Sequence, residues 1–198
     1  MTMWLTSDTH INHDKDWLYG THIKDDGTTT GRGFATVQDM NQHIFDTIFA
    51  QVQPGDTIVH LGDLAMSKDK VQIATDFVSK LDEIDVHLIW KLGNHDPMPH
   101  RLEHLSSTII PMDQPFKIAW MELSHFPYRG SAHKNGPVDP REDHLPFPVD
   151  DGRPLLHGHT HRSERLSRSP MGTPMIHVGW DCRGRLVSLD EVIRELYP

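Results

Sequence analysis

The apolar positions of the chain alternate between short runs and helical stripes through its first half. Met3 to Thr6 is an apolar run of strand length, and the polar stretch from Asp8 to Thr30 behind it has no periodicity, which predicts a long loop. Loops of that length inside a compact domain usually carry function. Thr36 stands as a helix N-cap before Val37, Met40, Ile44 and Ile48 at helical spacing, with Phe45 broadening the stripe, and Pro54-Gly55 closes the element in a turn. Thr57 to Leu61 predicts a buried strand. Asp69 to Leu81 predicts a second amphipathic helix, with Val71, Ala74, Phe77, Val78 and Leu81 on one face, and Val86 to Lys91 another strand. Strand, helix, strand, helix, strand is the order of a partly parallel α/β sheet.

Beyond Pro99 the pattern changes. Leu102 and Leu105 predict a short helix, Ile109-Ile110 a strand, and Phe116 to Ser124 a strand pair or one long bent strand. Phe126 to Gly152 is rich in Pro, Gly and charge and predicts a second long surface loop. Leu155-Leu156, Met175 to Val178 and Arg185 to Val187 predict short strands. Ser188-Leu189-Asp190-Glu191 is a capping box opening a final helix, whose apolar face is Leu189, Val192, Ile193 and Leu196. No internal repeat or domain-sized linker interrupts the pattern, so residues 1–198 are expected to form one domain with a sizeable core.

Composition narrows the class. The single cysteine, Cys182, excludes an internal disulfide framework and agrees with a reducing compartment. No run of about 18 apolar residues is present, and the start Met3-Trp4-Leu5-Thr6 shows no basic leader, so no membrane association and a cytoplasmic location are expected. The formal charge of −9, from 19 basic and 28 acidic residues, argues against sequence-independent affinity for nucleic acid. Bound divalent cations would offset that charge locally. The sixteen histidines are the unusual count, because imidazole is the commonest metal ligand.

Those histidines recur, with Asp and Asn, where apolar runs end. The first run leads into Ser7-Asp8-Thr9-His10, the second into Gly62-Asp63, and the third into Gly93-Asn94-His95-Asp96-Pro97. Met121 to Ser124 leads into His125, and Pro154 to Leu156 into His157-Gly158-His159-Thr160-His161. Any one of these reads equally well as a polar turn. Together they match what a pair of divalent ions about 3.5–4 Å apart requires, including a carboxylate to bridge them. Mixed oxygen and imidazole donors suit manganese, iron or zinc rather than calcium, and a lone cysteine rules out a structural zinc finger.

The five motifs, in this order, resemble the calcineurin-like metallophosphoesterases, in particular their small single-domain phosphodiesterases. The match spans residues 8 to 161. The resemblance implies an α/β fold of two mixed β-sheets packed as a sandwich and flanked by helices, a four-layer αββα arrangement. It implies two divalent metal ions, manganese foremost, with iron, zinc or nickel as alternatives. One would be held by Asp8, His10, Asp63 and His161 and the other by Asp63, Asn94, His125 and His159, with Asp63 bridging. It further implies attack on phosphorus by a metal-bridging hydroxide without a covalent enzyme intermediate. His95 would protonate or stabilise the leaving oxygen, and Asp96 would hold its ring, a plain turn role for Asp96 being equally compatible. His60 and His157 are expected to support ligands rather than to ligate. His22, His43, His87, His100, His104, His133 and His144 read as surface residues.

Substrate selection is less legible. The small members carry an Arg-Pro-Phe-like motif where this chain has Arg32-Gly33-Phe34, so the proline is missing. Arg32 is expected to contact phosphate, a loop arginine being an equal alternative. Phe126-Pro127-Tyr128-Arg129 and Val178-Gly179-Trp180-Asp181 also resemble these members, and Tyr128 and Arg129 are expected to line the substrate cleft. Trp17, Tyr19, Phe126 and Tyr128 could stack a base or equally anchor their loops. The leading expectation is a phosphodiesterase acting on a small nucleotide-type ester, cyclic nucleotides included. The alternatives are a nuclease using a patch of Arg162, Arg165, Arg168, Arg183 and Arg185, a phosphomonoesterase, and a binding module that keeps the fold without catalysis.

Overall fold

The computed structural model describes residues 1–23, 29–131 and 144–197. Strand β1 (Met3–Thr6) is followed, inside the stretch expected as a loop, by α1 (Asp16–Tyr19) and a small antiparallel pair, β2 (His22–Ile23) and β3 (Thr29–Thr30). Helix α2 (Val37–Gln51) starts where its cap predicts, with Thr36 Oγ1 accepting from the Asp39 amide at 3.1 Å. Then come β4 (Thr57–His60), α3 (Lys70–Glu83), β5 (His87–Lys91) and β6 (Thr108–Ile110). The short helix expected at Leu102 is a 3₁₀ turn over Pro99–Arg101, opened by the proline, and Leu102 behind it is buried. β7 (Phe116–Ile118) and β8 (Met121–Leu123) form an antiparallel pair rather than one bent strand. β9 (Leu155–His157), β10 (Leu166–Arg168), β11 (Pro174–His177), α4 (Trp180–Arg183), β12 (Val187–Ser188) and α5 (Leu189–Leu196) complete the order. β10 is largely exposed, and α1 and α4 are single turns, so none of them leaves a periodic signal.

Two five-stranded mixed sheets organise these elements, in the orders β12-β1-β4-β5-β6 and β10-β11-β9-β8-β7. In the first, β1, β4, β5 and β6 are parallel to one another; in the second, β8, β9 and β11 are. Parallel strands end on a common edge, which is why the polar sequences after five separate strands can meet.

Alternation along the strands divides the core in two. Ile58, Leu88 and Trp90 face α2 and α3 and pack with Met40, Ile44, Ile48, Ala74, Phe77 and Leu81. Leu5, Val59 and Leu61 face the other way and meet Met121, Leu123, Leu156 and Ile176 of the second sheet, with Val192 of α5 alongside. The sheets therefore form a sandwich with a helix layer on the first. Beyond the second sheet, Tyr128, Leu155 and Met175 make a small cluster of their own. Among the described residues no helix is long and apolar enough to cross a membrane.

Leu156 is fully buried where the two sheets meet. Leu156→Ala should cost about 2–5 kcal/mol in urea unfolding; a loss below about 1 kcal/mol would mean that this layer is not tightly packed.

Candidate metal centre

The parallel ladder does not stop where β1 and β4 end. Asp8 donates its amide to Gly62 O at 2.9 Å, His10 to Asp63 O at 3.0 Å and Ile11 to Leu64 O at 2.9 Å, so the two loops run on side by side. Gly158 N to His125 O at 3.1 Å and Trp180 N to Ser7 O at 2.8 Å bind the loops of the second sheet and of α4 to the same edge. Backbone strain is concentrated here: Asp8, His10, Asp63, His159 and His161 all have positive φ, between 49° and 68°. Asp and His tolerate that region better than most side chains, and each such residue costs energy that the surrounding structure must offset. Gly93 and Gly158 allow the close approach. A Cβ on Gly158 would overlap Ser7 Oγ and Asp8 Oδ2, and one on Gly93 would overlap Asp63 Oδ1.

The side chains on these loops converge. His10 Nε2 lies 3.2 Å from His161 Nε2, 3.9 Å from Asp8 Oδ1 and 3.7 Å from Asp63 Oδ2. On the other side of the same carboxylate, His125 Nε2 lies 3.4 Å from Asp63 Oδ2, 3.0 Å from Asn94 Oδ1 and 3.3 Å from His159 Nδ1. Two overlapping groups, Asp8-His10-His161 and Asp8-Asp63-His125, have donor atoms within 4.8 Å of one another. All seven expected ligands thus come together, with Asp63 Oδ2 between two imidazole clusters.

The donor chemistry fits cations. Asp8 Oδ1 is fully buried without a hydrogen-bond partner, although Oδ2 accepts from the His159 amide at 2.9 Å. His125 Nδ1 faces Leu61 O at 2.8 Å and must donate to it. Its Nε2 is left facing an amide oxygen and a carboxylate, both of which only accept. Burial opposes a charge on His125, yet Asp63 and then Asp8 push it up to about 9, so the pocket attracts positive charge at this point. Burial likewise works to raise Asp63, but His125, His10 and His95 hold it well below the usual carboxylate range. Burial keeps His10 neutral, as a ligand must be.

No family model matches the chain. It is 34% identical over 209 residues to the Gene 66 protein of Mycobacterium phage L5, a similarity that covers 96% of this chain and 91% of that protein. The chain belongs to the Gene 66 protein family. Among solved structures, a protein of unknown function from Aquifex aeolicus shares the fold, with a TM-score of 0.56 over 98% of each chain at 18% identity. YfcE, a phosphoesterase from E. coli, superposes with a TM-score of 0.39 over 90% of this chain and 78% of that one, at 18% identity, which is too loose to carry an argument.

The other expected site residues divide. In this member of the Gene 66 family His95 stands at the centre, its Nε2 4.0 Å from Asp63 Oδ2 and its side chain 40% exposed. Its backbone is pinned, because its amide donates to Asp63 Oδ1 at 2.9 Å and its carbonyl accepts from Lys70 Nζ. Asp96 does not hold the His95 ring. Its carboxylate accepts from the amides of Gly93, Asp63 and Leu64 at 2.8, 2.8 and 3.0 Å and from Trp90 Nε1 at 3.1 Å. Burial and the Asp63 charge raise it to about 7 against those donors.

Arg32 is not placed to contact substrate phosphate. Nε and Nη2 fork onto Asp181 at 3.0 and 3.1 Å, Nη2 also donates to Asp8 O at 2.6 Å, and Nη1 donates to Thr9 O at 2.7 Å and meets Met40 Sδ at 3.5 Å. Every N–H of the guanidinium is thereby used. Tyr128 does not line a cleft either: it is buried and donates to Arg153 O at 2.8 Å. Arg129 is exposed, with its guanidinium 5.4 Å from the centroid of Phe147, whose ring lies 6.5 Å from that of His159.

Two residues escaped the sequence reading. His13 is buried against His10 at a centroid distance of 5.2 Å, and burial, then His95, lowers it to about 4. Its position three residues after His10 was the available signal. Asp181 accepts from His161 Nδ1 at 2.7 Å; it ends the Val178-Gly179-Trp180-Asp181 run, whose likeness carried no role. His60 braces the loops beside the ligands rather than a ligand itself. Its Nδ1 accepts from Gly62 N at 3.2 Å, so in the neutral ring Nε2 donates to Thr9 Oγ1 at 3.0 Å, and burial lowers this ring to about 3.

Asp96→Ala should lower the stability of the metal-free protein by at least about 2 kcal/mol in urea unfolding, because four N–H groups lose their acceptor. A mutant of unchanged stability with lost turnover would restore Asp96 to the ring-holding role.

Proposed function

We propose that the chain is a metal-dependent phosphoesterase, foremost a phosphodiesterase for small nucleotide-type esters such as cyclic nucleotides, working with two divalent ions. The observation that carries this reading is the Asp63 carboxylate, set between the His10-His161 and Asn94-His125-His159 clusters with His95 beside it. Asp8, His10, Asp63 and His161 would hold one ion and Asp63, Asn94, His125 and His159 the other. Manganese is the first candidate for this donor set, with iron, zinc or nickel behind it. Bound divalent ions supply water of lowered pKa near neutral pH and positive charge against phosphoryl oxygens.

The protein's own groups then have distinct tasks. His95, half-exposed on a pinned backbone, holds a proton toward the leaving oxygen. The Asp96 clamp keeps the Asp63 and Gly93 loops at fixed separation. Of the four aromatics considered for base stacking, Phe126 and Tyr128 are buried and Tyr19 packs on the core, which leaves Trp17. Trp17 is 56% exposed and meets His13 edge-on at 5.2 Å, so it offers a planar group a wall on the His10 side. Arg129 over Phe147 offers another on the His159 side.

A nuclease is the second reading, and it is weaker. Of the arginines that would form its basic patch, Arg183 is forked onto Glu195 at 2.6 and 2.8 Å and Arg185 onto Glu191 at 2.7 and 3.1 Å. A phosphomonoesterase and a non-catalytic module are separated by assay.

Metal-stripped protein resupplied with Mn²⁺, Ni²⁺, Zn²⁺ or Mg²⁺ should turn over bis-p-nitrophenyl phosphate faster than p-nitrophenyl phosphate, most strongly with Mn²⁺. Preference for the monoester would make it a phosphatase, and no turnover with any metal would favour the binding module. His95→Ala should keep its metal content, measured by atomic emission, while losing about 10²–10⁴ in kcat; loss of metal instead would overturn the proton-donor role.

A further inference from the structure

Arg32 and Asp181 have no part in the chemistry proposed above, yet through His161 they touch the centre from behind. Asp181 lies in the first turn of α4, which is tied to the end of β1 by the Trp180 amide. Its Oδ2 accepts from His161 Nδ1 at 2.7 Å and from Arg32 Nη2 at 3.1 Å, and its Oδ1 accepts from Arg32 Nε at 3.0 Å. The Arg32 side chain is only 5% exposed and that of Asp181 16%. The same guanidinium holds the carbonyls of Asp8 and Thr9, the backbone that carries two more donors of this cluster.

A carboxylate only accepts, so His161 Nδ1 carries the proton of that bond and Nε2 is the nitrogen turned toward His10 Nε2 at 3.2 Å and Asp8 Oδ1 at 3.9 Å. Tautomer and ring orientation of a ligating histidine are commonly set in this way, and loss of such a partner typically weakens metal binding about 10–100-fold. Nothing equivalent reaches the other half of the centre from Asp181. His125 is oriented by Leu61 O, a backbone acceptor on a different loop.

We propose that Asp181 and Arg32 are positioning residues that set the metal affinity of the Asp8-His10-His161 half of the centre and leave the Asn94-His125-His159 half unaffected. The proposal rests on the metal-centre reading of the preceding subsection. It also accounts for an arginine with every N–H satisfied beside an acidic cluster. Arg32 balances the Asp181 charge and fixes one ring and one loop at the same time.

The test is calorimetric titration of metal-free protein with Mn²⁺ alone, with electron paramagnetic resonance to separate coupled from isolated ions. Wild-type protein should bind two ions per chain and show a coupled signal. Asp181→Asn keeps the size of the side chain but replaces one acceptor by a donor facing Arg32. It should bind one ion with unchanged affinity, weaken the second about 10–100-fold, and show an isolated signal at one equivalent. Arg32→Lys keeps the charge without the fork and should weaken the same ion less; it carries the test if Asp181→Asn does not fold. Two ions of unchanged affinity in both variants would overturn the proposal while leaving the metal centre standing. Equal weakening of both ions, with a lower Tm of the metal-free protein, would show a merely structural role and also overturn it. Wild-type protein that binds no Mn²⁺ would overturn the metal-centre reading together with the proposal.

Discussion

Three amides from two different loops and the Trp90 indole of β5 end on the carboxylate of Asp96, and the geometry of the centre follows from that convergence. A buried donor left without a partner is costly. The clamp therefore fixes the distance between the turn after β4 and the turn after β5. Asp63, held at positive φ in the first of those turns, is aimed by it at two imidazole clusters at once. The His95 amide, donating to Asp63 Oδ1, makes the aim reciprocal.

Around this clamp the sandwich acts as a frame. Parallel strands of the two sheets end on one edge, and the apolar layer between Leu61, Leu123, Leu156 and Ile176 holds those edges in register. The histidines after β8 and β9 thus reach a carboxylate after β4, more than sixty residues away along the chain. What is collected there is expensive: buried carboxylates, imidazoles pressed together and five strained backbone positions. Such a concentration is typical of functional sites, because the rest of the fold must over-determine it.

The cost is spread over polar contacts behind the donors. His60 and Thr9 brace the loops after β1 and β4, and the Arg32-Asp181 pair braces His161 and the loop of Asp8. Arg183 forked onto Glu195 joins α5 to the carbonyl of His177. The Arg32, Asp96 and Arg183 side chains are buried where they hold loops and helix ends together, whereas His95, Trp17 and Arg129 keep part of their surface open.

Hydrophobic periodicity determined much of the order: α2 behind its Thr36 cap, α3 with Ala74, Phe77, Val78 and Leu81 buried but Val71 only half-buried, the strands β1, β4, β5, β9 and β11, and the final helix behind Ser188. It also marked which polar sequences sit at strand ends, since a strand's apolar run stops where its burial stops. β10 was hidden because Leu166-Ser167-Arg168 is largely exposed and carries one apolar residue, and α4 because a single helical turn shows no period. Side-chain roles depended on a different kind of information. Arg32, Tyr128 and Asp96 have the right chemistry for a substrate site, and their sequence neighbourhood suits one. Only the packed chain shows that Asp181 and two carbonyls consume the guanidinium, that Arg153 O takes the phenol, and that four amide and indole N–H groups take the carboxylate. A sequence states which donors and acceptors exist; which of them are already satisfied is decided by partners up to about 150 positions away, which the tertiary structure alone brings within hydrogen-bond reach.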